Sequence, residues 1–169
     1  YDEYHGEVNY DPMLINIISL DIETDSSGGW PNIQLADKEI TATTLSKRGE
    51  KVVLGLFPYK PKDDKVKYIH CSSETDLLRK FLKIWQHPTF LPDVVTGWNI
   101  EFFDIPYIVN RIIQVLGSTE AKKLSPWGFL DEREVEIKGR MNKVFIPAGI
   151  SILDYLPLYK KFKFQEQEN

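Results

Sequence analysis

An α/β fold, with a mixed β-sheet flanked by helices, is predicted by three observations on this sequence. Short apolar runs of strand character recur along the chain, and two longer stretches carry apolar residues at helical spacing. Hairpin-like connections fall early in the chain and crossover helices fall later, which is the order of a mixed sheet rather than of separate α and β units. No internal repeat or low-complexity tract interrupts the 169 residues, a length suited to one domain or one domain plus part of a neighbour.

Residues 14–22 read as a strand broken only by Asn16 and Ser19, with apolar residues on both parities. That pattern predicts a central strand covered on both faces. Asp25-Ser26-Ser27-Gly28-Gly29 ends it in a loop. Residues 39–46 and 51–57 alternate as two strands joined by a hairpin at Arg48-Gly49-Glu50, and residues 66–71 form another strand. Ser73-Glu74-Thr75-Asp76 has the form of a capping box with Asp in the place of Glu or Gln. Leu77, Leu78, Phe81, Leu82 and Trp85 then make one apolar stripe of a helix reaching about Gln86. Residues 94–98 are a short strand, 105–116 a helix ended by Gly117, and 121–124 a short third helix. Residues 134–137 and 143–146 flank Gly139 as a second hairpin, and residues 150–153 are a last strand. Asp154 caps a final helix to about Phe162, with Pro157 in its first turn.

Composition narrows the function. The apolar share of 42% and charged share of 27% are those of a globular protein. No apolar run approaches about 18 residues, the length of a membrane span. The acidic start Tyr1-Asp2-Glu3-Tyr4 is not a secretory signal and reads as internal to a longer product, or trimmed. Cys71 is the only cysteine, so no internal disulfide forms. His5, His70 and His87 are too scattered for a zinc site. A net charge of −4 argues against a broad basic clamp on nucleic acid, though not against an enzyme gripping a few nucleotides. Trp30, Trp85, Trp98 and Trp127 are read as core or partly exposed packing, and Lys160, Lys161 and Lys163 as a solvated basic edge.

Chemistry concentrates in Asp21-Ile22-Glu23 and in Asn99-Ile100-Glu101-Phe102-Phe103-Asp104. Side chains alternate along a strand, so Asp21 and Glu23 point the same way and Ile22 points into the core. They sit at the strand's carboxyl end, where α/β sheets place ligands. Neighbouring carboxylates repel unless a cation lies between them, and Mg²⁺ or Mn²⁺ suits all-oxygen ligands. Asp104 can join them as a third carboxylate, can cap the following helix ahead of Pro106, or can do both. Asn99 and Phe103 are either loop and core residues or contacts to a nucleic-acid strand, Asn99 offering hydrogen bonds to sugar or phosphate and Phe103 a face on which a base can stack.

Taken together, Asp21-Ile22-Glu23-Thr24 and Thr96-Gly97-Trp98-Asn99-Ile100-Glu101-Phe102-Phe103-Asp104-Ile105-Pro106-Tyr107-Ile108 resemble the first two motifs of the 3′–5′ proofreading exonuclease domain of family B DNA polymerases. Residues 1–12 and 148–164 are similar to the polymerases of T-even-type phages. The resemblance is loosest over residues 29–64 and 127–147. It implies a ribonuclease H-like fold, with residues 1–12 as the edge of a preceding domain and 13–169 as the exonuclease domain. It implies two divalent metal ions, Mg²⁺ or Mn²⁺, with Asp21, Glu23 and Asp104 as catalytic metal ligands. It also implies Asn99 and Phe103 as contacts to a single-stranded 3′ end of DNA, and the cytoplasm of an infected bacterium as the place of action. The family's third motif, Tyr-x-x-x-Asp, has no match in the chain, and Asp154-Tyr155 does not take its place. The chain is therefore expected to be part of such a domain, completed by the remainder of a polymerase or by a complementary subunit, with cleavage by the chain alone weak or absent. An exposed apolar patch able to drive dimerisation follows from that expectation. Two other readings stand beside it: a catalytically silent DNA-binding or structural part of the polymerase, and a ribonuclease H-like nuclease acting on RNA.

Overall fold

The computed structural model of the protein describes residues 11–137 and 139–165, so residues 1–10 of the expected domain edge lie outside the described residues. A 3₁₀ turn at Pro12–Leu14 leads into β1 (Ile17–Thr24), β2 (Ile40–Lys47), β3 (Glu50–Gly55) and β4 (Val66–His70). Then come α1 (Glu74–Trp85), β5 (Val94–Gly97), α2 (Asp104–Leu116), the short α3 (Ser118–Ala121) and a 3₁₀ turn at Lys122–Leu124. β6 (Leu130–Ile137), β7 (Arg140–Pro147), β8 (Ser151–Asp154) and α4 (Tyr155–Gln165) complete the order.

The main sheet has six strands in the order β4-β3-β2-β1-β5-β8, and β6 and β7 pair apart from it as a hairpin. β1, β2 and β3 are antiparallel neighbours, whereas β4 runs parallel to β3, and β5 and β8 run parallel to β1. The mixed sheet predicted from the sequence is therefore present. Lys47 pairs with Glu50 across the two-residue turn Arg48-Gly49, where φ is 51° and 87°. Left-handed values at both central positions suit the twist of a tight hairpin, and Gly49 adopts them without a Cβ clash.

The expectation that the first strand is covered on both faces is corrected. Along β1, Ile18, Leu20 and Ile22 are buried, while Ile17, Ser19, Asp21 and Glu23 are exposed. The two-sided apolar pattern arose from counting Leu14 to Asn16 into the strand. Leu14 lies instead in the 3₁₀ turn and is 79% exposed. The register sets Ile17 beside Val94 and Ser151, and Ser19 beside Thr96 and Leu153. Ile17 and Leu153 therefore expose apolar surface on one sheet face, the face that also carries Asp21.

The opposite face holds the core. Leu77, Leu78, Phe81 and Trp85 of α1 join Ile105, Ile108 and Ile112 of α2 against Ile18, Leu20 and Ile22 in one cluster. Each such side chain contributes about 1.5–3 kcal/mol on full burial. Ser73 caps α1 by accepting from the Asp76 amide at 3.2 Å. The return half of the capping box is shifted by one residue, because the Asp76 carboxylate accepts from Ser72 N–H at 3.0 Å. Trp85 Nε1 donates to Leu124 O at 2.8 Å and fastens the turn after α3 to the core.

Candidate active site

The carboxyl ends of the parallel strands β1, β5 and β8 lie side by side, and all the motif residues gather there. Asp21 and Glu23 project from the exposed face of β1, with Ile22 buried between them. Gly97 ends β5 opposite Asp154 of β8. A Cβ on Gly97 would stand 2.6 Å from Leu20 O and 3.2 Å from Ile100 Cδ1. Only glycine lets β5 press so closely on β1, one residue before Asp21.

After β5 the chain turns through Asn99, whose φ is 57°, and Phe102 and Phe103 N–H both donate to Asn99 O, at 3.2 and 2.9 Å. Asn tolerates this left-handed conformation better than most residues. The turn delivers Asp104 as the first residue of α2. The expected helix cap at Asp104 is not formed: the cap position falls on Phe103 and no side chain caps there. Asp104 Oδ1 instead crosses to β1 and accepts from Ile22 N–H at 3.0 Å. It therefore sits at the one backbone amide flanked by Asp21 and Glu23.

The Asp104 side chain is 4% exposed, and its pKa is pushed up to about 7. Burial is the main cause. The Ile22 hydrogen bond opposes it, and the negative charges of Asp21 and then Asp154 add to it. Desolvation also raises Asp21 above the usual carboxylate range. Glu23 lines a cleft of about 330 Å³ with Ile22, Thr24, Ser26, Gly29, Trp30, Pro31 and Phe103. Phe103 stacks on Tyr107 with ring centroids 5.8 Å apart, so its ring is held in place at the cleft wall. The structure thus joins Asp104 to Asp21 at Ile22, sets Glu23 two residues further on the same face of β1, and places Phe103 beside Glu23. Asn99 enters through its backbone turn.

The donors here are carboxylate oxygens, the chemistry that a hard divalent cation prefers. The mutual repulsion of Asp21 and Asp104 is what such a cation relieves. Among the described residues, however, no group of three His, Cys, Asp or Glu side chains is arranged to hold a metal ion.

The family model for the exonuclease domain of family B DNA polymerases matches residues 4–166. The chain belongs to that family. The chain is 31% identical to the DNA-directed DNA polymerase of Escherichia phage RB69 over 98% of its own length and 21% of the polymerase. It is also 31% identical to the polymerase of Enterobacteria phage T4, over 96% of the chain and 21% of that protein. The DNA polymerase catalytic subunit of Equine herpesvirus 2 is 32% identical over 59% of the chain and 10% of the subunit. The chain thus spans about a fifth of the length of the phage polymerases it matches. No helix among the described residues is long and apolar enough to cross a membrane.

Three features of this exonuclease domain escape sequence reasoning. Trp30 is not packing: it is 95% exposed and forms a wall of the cleft beside Glu23. Asp154 does cap the last helix as expected, accepting from Leu156 N–H at 2.8 Å. It also accepts from Asn99 N–H at 3.0 Å and Glu101 N–H at 3.1 Å. Lastly, one face of α2 ties down the loop that follows Trp30. Asn110 Nδ2 donates to Ile33 O, Arg111 to Ala36 O and Gln114 to Leu35 O, while the Tyr107 hydroxyl bonds to Lys38. The spacing of residues 107, 110, 111 and 114 is one polar helix stripe, and that periodicity was the available signal.

Proposed function

We propose that this exonuclease domain removes nucleotides from the single-stranded 3′ end of DNA by hydrolysis, as the proofreading part of a phage-type DNA polymerase. The observation that carries the proposal is the buried Asp104 carboxyl, which accepts from the Ile22 amide between Asp21 and Glu23, while Ile22 and Glu23 both line the cleft. Asp21, Glu23 and Asp104 would hold two Mg²⁺ or Mn²⁺ ions. Those ions, when bound, supply the positive charge that lowers the pKa of an attacking water and offsets the charge on the leaving 3′ oxygen.

The residues of the chain do the remaining work. Phe103 and Trp30 offer aromatic faces to the bases of an unpaired end, a sequence-tolerant mode of holding single strands. Asn99 lies at the turn that leads to Phe103 and offers an amide to sugar or phosphate. The substrate is an unpaired terminus, because a 3′ end must be unpaired to reach a recessed site. The partners are the primer strand's 3′ end and the remainder of a polymerase, or a complementary subunit. The cytoplasm of an infected bacterium is the setting. Residues 13–169 are the exonuclease part, with residues 1–12 as the edge of a preceding domain.

A second reading, a catalytically silent DNA-binding or structural part of a polymerase, draws support from Asp104. Its carboxyl already has a hydrogen-bond role in the fold, accepting from the Ile22 amide. One experiment separates the two: digestion of a 5′-labelled single-stranded DNA in Mn²⁺, with Asp21→Ala beside it. Stepwise shortening from the 3′ end is expected, falling about a thousandfold in the variant, equivalent to about 4 kcal/mol of transition-state stabilisation. No shortening by either protein, unrestored when the chain is extended through a Tyr-x-x-x-Asp segment, favours the silent reading, whereas equal shortening by both would show cutting that does not use Asp21. A matched RNA strand cut as fast as DNA would indicate a ribonuclease instead.

A further inference from the structure

We infer that Asp154 is a positioning residue for the active site: its carboxylate fixes the turn that carries Asn99, Phe103 and Asp104. The inference rests on the nuclease reading above. Asp154 is the last residue of β8 and is 7% exposed. Its two oxygens take up three backbone N–H groups from two separate segments. Oδ1 accepts from Asn99 at 3.0 Å and from Leu156 at 2.8 Å, and Oδ2 accepts from Glu101 at 3.1 Å. A carboxylate is the side chain suited to this, because both of its oxygens are acceptors only when ionised. The charge also makes each bond stronger than a neutral one.

The consequence is geometric. The turn leaves β5 at Gly97, which is pressed against Leu20 of β1. It returns to β1 through the Asp104–Ile22 bond. Between those two points, Asp154 grips the backbone at Asn99, where φ is 57°, and at Glu101. Without that grip the segment is fixed at its ends and loose at its middle. Asn99 and Phe103 would then lose their orientation, and Asp104 the support for its approach to Asp21. Glu101 registers the proximity as well: desolvation, and after it the charge of Asp154, raises its pKa.

Asp154→Asn is the discriminating variant. It preserves shape but offers one acceptor oxygen and turns an NH₂ toward a backbone N–H. Asp93→Asn is the matched control. Asp93 makes the same kind of bond, accepting from Asn16 N–H at 2.7 Å, just before β5 and so at the far end of that strand from Gly97. Amide hydrogen exchange of both variants should show faster exchange over residues 98–104 by tenfold or more in Asp154→Asn alone. In the DNA digestion, Asp154→Asn should lower kcat about 10- to 100-fold and raise KM, while Asp93→Asn leaves both within twofold. Unchanged exchange over residues 98–104 in Asp154→Asn overturns the inference, as does faster exchange there with unchanged kcat. If the unmodified chain does not cut DNA even when extended through a Tyr-x-x-x-Asp segment, the nuclease reading fails separately, and the exchange comparison alone decides whether Asp154 fixes the turn.

Discussion

Two buried carboxylates, Glu74 at the start of α1 and Asp104 at the start of α2, keep very different company. Glu74 is 6% exposed and receives both arms of the Arg111 guanidinium at 2.6 Å, with Ile40 N–H as a further donor at 2.8 Å. Asp104 is 4% exposed and receives backbone amides but no cation, with Asp21 and Asp154 as like-charged neighbours. Glu74 finds its countercharge inside the fold, and its work is structural. Asp104 finds none, and its raised pKa records the deficit. A buried carboxyl with like-charged neighbours and no countercharge in the fold is a candidate functional group.

The largest expected effect comes from destroying the match at Glu74. Arg111→Met should cost about 3–5 kcal/mol, because it leaves a buried carboxylate without its cation. Urea titration measures this, and a loss under 1 kcal/mol would show that the pair is not structural. The variant also frees Ala36 O, so the cleft wall should loosen with it.

Next in size is the effect of relieving the deficit at Asp104. Its pKa lies above the unfolded value, so the folded state holds the proton more tightly. The contribution of Asp104 to stability therefore falls as pH rises from about 4 to about 7. Asp104→Asn keeps the acceptor for Ile22 and removes the charge. It should be more stable than the unmodified protein at pH 8 by at most about 4 kcal/mol, and should not differ through ionisation at pH 4. Thermal melts without divalent ions test the sign; a variant less stable at pH 8 would break the comparison. Mn²⁺ should stabilise the unmodified protein more at pH 8 than at pH 6, and should do so weakly in the variant.

Gly97→Ala should cost about 1–3 kcal/mol by overpacking, since the contact is with backbone and not with a flexible side chain. Its effect on DNA digestion should exceed that of a surface variant of equal stability, because the strain falls next to Asp21. The smallest effect is at the structural carboxylate's own helix. Ser73→Ala removes the cap of α1 and should cost about 1 kcal/mol, with digestion unchanged. A cleavage defect there would mean that the Glu74 region and the site are coupled.

Much of this was legible residue by residue. The period of two in β1 placed Asp21 and Glu23 on one face, and the stripe from Leu77 to Trp85 placed α1 on the sheet. Gly49 marked its hairpin, and Asp154 was read rightly as a cap. The error over β1 came from its start, because Leu14 and Ile15 are apolar yet belong to a turn and a bend. The cap expected at Asp104 failed for a different reason. Local preference favours the cap, but a bond to Ile22 across the sheet took the carboxyl instead. The exposure of Trp30 is not legible in the sequence, because composition cannot say which aromatic side chain the fold leaves in solvent.

What the sequence by itself determined is therefore the order of elements, the mixed α/β architecture and the identity of the acidic motifs. Each is written in periodicities and spacings a few residues long. The tertiary structure alone decided that Asp104 docks at Ile22, 82 residues away, and that Asp154 grips Asn99 and Glu101 from 55 and 53 residues away. It also decided which carboxyl is matched and which is not. Burial and countercharge are properties of neighbours in space, and only chain closure brings those neighbours together.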